Sequence, residues 1–270
     1  MTFRLGRKYV PDDRDFRVDR IHPAHAAAPL PPSALWADAA VLDQGDTGTC
    51  VGHGWAGWGD SAPVVDSFVE KDALAIYYEA TCLDGACDST YQNGSTVRSG
   101  AKAMQNRKRL SAYAFLATLD EIREWLANHG PVVIGADWTN DMFNPDDHGY
   151  IRPTGGVAGG HCFLLIGYDG DTFRFRNSWG KGWGLAGDFL MASADFQTIL
   201  TGISDPGEAC AAEELPSAPS PVPPTPSGCL DAADKALFAA VSVWMLARHS
   251  GANRLAAKAV QAWAKAKGLA

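Results

Sequence analysis

An α+β fold, with a helical half against an antiparallel sheet half, follows from three features of the 270-residue sequence. Up to residue 130, apolar residues recur at helical spacing. Beyond Gly130-Pro131 the period shortens to that of strands. At 213–228, EELPSAPSPVPPTPSG, alternating proline and serine favour an extended spacer that packs no core, which sets a domain boundary.

In chain order, residues 1–33 form an irregular arm rich in proline and alanine. Residues 50–60 open a first helix. VDSFVEKDALAIYYEAT (65–81) carries Phe68, Val69, Ala73, Leu74, Ile76 and Tyr77 at helical spacing and predicts a second. Residues 95–108 read as a third. Thr118 with Glu121 three residues on is a capping-box pattern that starts a helix over 119–128, stopped by Gly130-Pro131. PVVIGADW (131–138), HCFLLIGYD (161–169), DTFRFRNSW (171–179) and GDFLMA (187–192) are rich in β-branched and aromatic residues and predict strands. The main body is thus 34–212 and the spacer 213–228. A small module over 229–270 follows, in which Leu237, Val241, Trp244 and Met245 share one helix face and Leu255, Val260 and Trp263 lie in a second segment. Such a hairpin packs on the body or docks a partner or another copy. A proline spacer suits the docking role.

Composition is that of a globular protein, 46% hydrophobic and 20% charged. A net charge of -8 argues against a non-specific nucleic-acid binder, which needs a basic surface. No apolar run reaches the ~20 residues of a membrane span, and the first residues lack the apolar core of a signal peptide. The expected location is the cytoplasm or a virion or other particle. The six cysteines match no zinc pattern, and neither a metal nor a cofactor is expected. Cys82 and Cys87 flank LDGA and could close a small loop. In a reducing compartment the thiol form is expected.

The stretch LDQGDTGTCVGHGW places Gln44 six residues before Cys50. Taken alone, Cys50 fits a buried hydrophobe, half of a disulfide, a ligand or a nucleophile. A nucleophile needs a base, a group to orient that base and donors for an oxyanion. Among the histidines, His22 and His25 lie in the irregular arm and His249 beyond the spacer. His53, three residues after Cys50 on the same helix, is poorly aimed at the sulfur. His161 opens an apolar strand after GGVAGG and fits either a satisfied core histidine or a cleft wall. NSWGKGWG (177–184) fits a tight turn with core tryptophans. It equally fits an asparagine that accepts from an imidazole N–H under a tryptophan cover.

Together, QGDTGTC, GGHCFLLIGYD and NSWGKGWG resemble the three signature blocks of the papain family of cysteine peptidases, in the family's order. KYVPDDRDFRVD and LPPSALW resemble the entry segment of bacterial and viral members. NGSTVRSGAKAM resembles the segment after the second helix, and HGPVVIGAD the strand lining the cleft. The resemblance spans about residues 6–200. It implies a papain-like two-lobed α+β fold and a cysteine endopeptidase acting on a peptide or protein. Cys50 would be the nucleophile, His161 the base and then acid, and Asn177 the orienter. Gln44 and the Cys50 N–H would hold the oxyanion, with Trp179 shielding the Asn177–His161 bond. The resting pair would be thiolate and imidazolium. Asn93, Gly94, Ser95 and Gly160 would line the bound peptide. Gly135 and Cys162, both small, would leave a roomy apolar pocket for the second residue before the scissile bond. Thr47 stands where many members carry a disulfide cysteine, and Val51 replaces the usual tryptophan. The first 33 residues are too short for the large inhibitory prosegment and are expected to wrap the body, with no such segment to remove. Two other readings stand beside the endopeptidase: a hydrolase of cell-wall peptides using the same machinery, and an assembly component docked through 230–270.

Overall fold

A computed structural model gives the fold, with residues 3–13, 15–18, 29–36, 40–61 and 63–215 described. The expected spacer beyond 215, the helical module and its docking role, His22, His25 and His249 lie outside the described residues.

The helical half contains α1 (Cys50–Gly59), α2 (Glu70–Leu83) and α3 (Val97–Asn106). Helix α2 starts at Glu70 instead of near 65, because Val69 is extended and its N–H is accepted by the Asp72 carboxylate. Helix α3 is capped by Thr96, whose hydroxyl accepts from the Ser99 N–H. Helix α1 is buried along its whole length. It tolerates this because its glycines let neighbours approach closely. A Cβ on Gly54 would lie 2.9 Å from the Cys162 sulfur.

The sheet half holds β4 (Leu110–Leu116), β5 (Val132–Thr139), β6 (Val157–Asp169), β7 (Thr172–Arg176), β8 (Asp188–Ala192) and β9 (Glu208–Glu214). They run antiparallel in the order β4-β9-β5-β6-β7-β8, and β2 (Ser33–Leu35) pairs with β6. Period-two alternation sends Val133, Cys162, Leu164, Ile166 and Cys210 toward α1. The opposite face sends Ile134, Trp138, Phe163, Leu165, Phe175 and Phe189 into a second core, closed by α4 (Leu119–Asn128) and α5 (Ser193–Thr201). The two cores are the two lobes of the expected α+β fold. Helix α4 begins as expected: the Thr118 hydroxyl accepts from the Glu121 N–H, while the Glu121 carboxylate accepts from Ala117 instead of Thr118.

Cys82 and Cys87 form a disulfide, contrary to the thiols expected. The chain turns back at the end of α2, where Ala86 N–H donates to Thr81 O, and brings their Cα atoms within 4.0 Å. Two short strands, β1 (Arg7–Lys8) and β3 (Ser95–Thr96), pair in parallel.

Candidate active site

Cys50 is the first residue of α1, at the helix end where the backbone dipole favours an anion. The loop before it is tied without a disulfide. The Thr47 hydroxyl donates to Gln44 O at 2.7 Å and lies 2.6 Å from the Thr49 hydroxyl, and Gly48 N–H donates to Tyr91 O at 2.8 Å. Hydroxyl bonds thus do locally what a cross-link at position 47 would do.

His161 stands on β6 and Asn177 just after β7. Asn177 Oδ1 lies 2.8 Å from His161 Nε2 and also accepts the Ser178 N–H at 2.8 Å. An oxygen that accepts both bonds fixes the tautomer: Nε2 carries the proton. His161 Nδ1 is buried and makes no hydrogen bond within the protein, so it is the nitrogen left to trade a proton. Trp179 stacks on the imidazole at 4.8 Å, and Trp138 meets it edge-on at 4.9 Å. Sequence reasoning missed Trp138, which is simply the aromatic near the end of β5. It also missed Ser178, whose hydroxyl donates to Gln44 Oε1 at 2.6 Å. Gln44 N–H donates to Ser178 O at 2.9 Å, so the loop before Cys50 and the loop carrying Asn177 are stitched together.

His53 sits on α1 with its Nδ1 3.0 Å from Thr49 O. Its ring is committed to the helix's own first turn.

The cleft is filled by residues 3–8 of the chain itself. The Gln44 amide donates both of its hydrogens, one to Thr47 O at 2.7 Å and one to Arg4 O at 3.0 Å. Gly6 N–H donates to Gly160 O at 3.1 Å, and Ser95 N–H donates to Gly6 O at 2.8 Å. Phe3 stacks on Trp179 at 4.4 Å. The approach is as close as backbone permits. A Cβ on Gly6 would lie 2.0 Å from Gly48 O, and one on Gly160 would lie 2.4 Å from Arg7 O. Of the residues expected to line a bound peptide, Gly94, Ser95 and Gly160 face this segment. Asn93 is exposed and spends its N–H on Asp88. The loop that presents Gly94 is built on Asp88. Burial works to raise the pKa of that carboxyl, but hydrogen bonds from Thr90, Tyr77, Asn93 and Gln92 hold it well below the usual range.

Of the arm expected to wrap the body, the described residues Val10, Asp15 and Phe16 bond to α3 and β4. Phe16 O accepts from Phe115 N–H, and Arg98 grips Asp15 and Val10 O along the helical lobe. Residues 3–8 instead lie in the cleft, because their glycine and backbone groups satisfy the donors there.

Burial changes the chemistry of the pair. Cys50 and His161 are both 0% exposed. Desolvation pushes the Cys50 thiol up to about 12, against the pull of hydrogen bonds from the Cys162 and Gly6 backbone. Desolvation pushes His161 down to about 4, against its bond to Asn177. At neutral pH the closed form holds a neutral thiol and a neutral imidazole. Shielding from water favours the neutral form of each group while residues 3–8 fill the cleft, and leaves the thiolate–imidazolium pair to the open form.

The expected roomy apolar pocket is also corrected. Cys162 turns its sulfur toward Gly54 of α1. Gly135 does open a space, but Glu208 of β9 closes it: a Cβ on Gly135 would lie 3.2 Å from Glu208 Oε2. Arg7 enters this space and pairs with Glu208. Among the described residues, no group of acidic, histidine and cysteine side chains is arranged to hold a metal ion.

The family model "Papain family cysteine protease" matches residues 66–207, just over half of the chain. The chain belongs to the papain family of cysteine proteases. The matched stretch takes in His161 and Asn177, and Cys50 lies upstream of it. Cathepsin B-like cysteine proteinase 6 of Caenorhabditis elegans is 32% identical over 130 residues, covering 46% of this chain and 31% of that protein. Cysteine proteinase RD21A of Arabidopsis thaliana is 28% identical over 152 residues, covering 53% and 30%. The chain spans less than half the length of the curated relatives it matches. Among solved structures, xylellain, a cysteine protease from Xylella fastidiosa, superposes with a TM-score of 0.63 at 20% identity, over 78% of this chain and 96% of that one. Digestive procathepsin L 3 of Tenebrio molitor gives 0.54 at 17%, over 74% of each. These two share the fold of this papain-family chain.

Proposed function

We propose that this chain is a cysteine endopeptidase that hydrolyses peptide bonds through Cys50, His161, Asn177 and Gln44. One observation carries the reading: an extended peptide, residues 3–8, already lies in the cleft with one of its carbonyls, Arg4 O, on the Gln44 amide. A substrate carbonyl would replace it there.

With the segment out and water admitted, the Cys50 thiol passes its proton to His161 Nδ1. The α1 N-terminus and the new imidazolium favour the thiolate. The sulfur attacks the carbonyl carbon and the oxyanion forms on Gln44 Nε2 and the Cys50 N–H. His161 returns its proton to the leaving amine as the C–N bond breaks. A water then adds to the thioester, losing its proton to His161, and the acid product leaves as the thiol is restored. Asn177 keeps Nδ1 in play throughout by holding Nε2–H. Coverage of nearly the whole Xylella protein supports a compact bacterial-type member of the family, and the entry segment supports the same placement.

A peptide library incubated with the wild-type chain and with Cys50→Ala tests the proposal, with purified cell wall as a parallel substrate. Cleavage of library peptides by the wild-type chain alone is expected. Cleavage that survives Cys50→Ala, or release of wall fragments with the library untouched, would overturn it.

A further inference from the structure

His53 on α1 and Asn177 just after β7 line one small cavity of about 10 Å³, room for a single water. Both residues are buried, at 3% and 2% exposed. Each brings one buried polar atom that makes no hydrogen bond within the protein: His53 Nε2 and Asn177 Nδ2. Two other polar side chains on the wall are engaged elsewhere. Arg176 pairs with Asp188, and the Ser178 hydroxyl donates to Gln44 Oε1 at 2.6 Å. Leu42 and Leu164 belong to the apolar part of the wall.

The two atoms are chemically complementary. His53 Nδ1 lies 3.0 Å from Thr49 O, which only accepts, so Nδ1 carries the proton and Nε2 is a bare acceptor. Burial keeps the ring neutral, against the pull of Thr49 O and of the charges on Glu70 and Asp43. Asn177 Oδ1 accepts from His161 Nε2 and from the Ser178 N–H, which assigns the far end of the amide as the NH2 donor. A water accepts from that NH2 and donates to His53 Nε2 at once. Without it, each atom would bear the desolvation cost of a buried polar group that has no partner.

The consequence reaches the histidine that moves the proton. The amide is planar, so pinning its Nδ2 end fixes where Oδ1 points. A half-turn of the amide would set NH2 against the His161 and Ser178 N–H groups, donor against donor.

We propose that one buried water bridges His53 Nε2 and Asn177 Nδ2, which makes His53 a positioning residue for the Asn177–His161 bond. Its effect on turnover rests on the peptidase reading above. His53 acts through the water and the amide and touches no reacting atom.

Two substitutions in the full chain separate the two edges of the ring. His53→Asn keeps a donor toward Thr49 O and removes the acceptor at Nε2. His53→Gln sets an amide oxygen near the Nε2 position. On a peptide that the wild-type chain cleaves, His53→Asn should lower kcat about tenfold with KM within about twofold, and His53→Gln should stay within about threefold of wild type. The alkaline limb of kcat/KM, where the imidazolium loses its proton, should move to lower pH in His53→Asn, because the Asn177 bond that favours the charged ring is loosened. In an Asn177→Ala background, His53→Asn should lower kcat by less than about twofold, since the group it acts through is gone. A tenfold loss that persists without Asn177, wild-type kcat in His53→Asn, or rescue by asparagine and not by glutamine would overturn the positioning role. A crystal structure of the wild-type chain is the second measurement and needs no turnover. It should show one water within about 3.2 Å of both His53 Nε2 and Asn177 Nδ2. No water between the two atoms overturns the bridge, whatever the variants do. A bridging water in a chain that cleaves no peptide supports the bridge and overturns the hydrolase reading instead.

Discussion

Gly6→Val should expose Cys50. The new Cβ would lie 2.0 Å from Gly48 O, 2.5 Å from Gly48 C and 2.8 Å from Gly48 Cα. These are backbone atoms of a loop pinned by Thr47 and Tyr91, so no rotamer change relieves the clash. The segment must lift instead. Three hydrogen bonds to its backbone at Arg4 and Gly6 go with it: Gly6 N–H to Gly160 O, Ser95 N–H to Gly6 O, and Gln44 Nε2 to Arg4 O. At roughly 1 kcal/mol net each, the closed form loses about 3 kcal/mol. At 1.4 kcal/mol per factor of ten, the open fraction rises by about 10². The assay is the iodoacetamide labelling rate of Cys50 at neutral pH, read by mass spectrometry of the peptide that contains it. Cys162 and Cys210, both buried in the core, serve as internal controls. Labelling of Cys50 should speed up by about 10² with the controls unlabelled. An unchanged rate in a variant that melts like the wild type would refute the view that residues 3–8 are what shields the sulfur.

Gln44→Ala should act in two opposite directions. It removes the donor to Arg4 O and so speeds Cys50 labelling, yet turnover in the Gly6→Val background should fall by ~10²–10³ through loss of an oxyanion donor. Stability should also report the buried imidazole. His161 titrates at about 4 in the closed fold against 6.5 for an ordinary histidine, so below pH 6.5 the unfolded chain takes up a proton that the fold refuses. Its contribution is therefore intact above pH 6.5 and is lost as the pH falls toward 4. Urea melts of His161→Gln should show a shallower decline across that window than the wild type, and parallel curves would contradict the assignment.

Much of this was legible from residues, and the exceptions share a cause. Thr118 and Glu121 marked the start of α4 because capping is local. The three motif blocks singled out Cys50, His161, Asn177 and Gln44, and the structure joins His161 to Asn177 and Gln44 to Ser178 by hydrogen bonds. Strand β9 was not legible. EACAAEE carries little strand propensity and becomes a strand only because β4 and β5 offer edges on both sides. Strand β6 begins at Val157, earlier than His161 suggested, since Gly159 and Gly160 are held by pairing with Trp138 and Asp137. The Arg7–Glu208 pair carried no signal in either neighbourhood: a buried ion pair between the first strand and the last is a product of tertiary closure alone. For the same reason, small residues at 135 and 162 suggested an apolar pocket, while the acid that defines it came from elsewhere in the chain.

The central claim is that the Cys50 sulfur, once uncovered, becomes an acyl carrier activated by His161. Acid-quenched mass spectrometry of the Gly6→Val chain mixed with a peptide ester tests it most directly. The account predicts a thioester adduct on the fragment containing Cys50, present at early times, absent in Cys50→Ala and strongly depleted in His161→Ala. Steady hydrolysis of the ester with no adduct at Cys50, equal in all three chains, would contradict it.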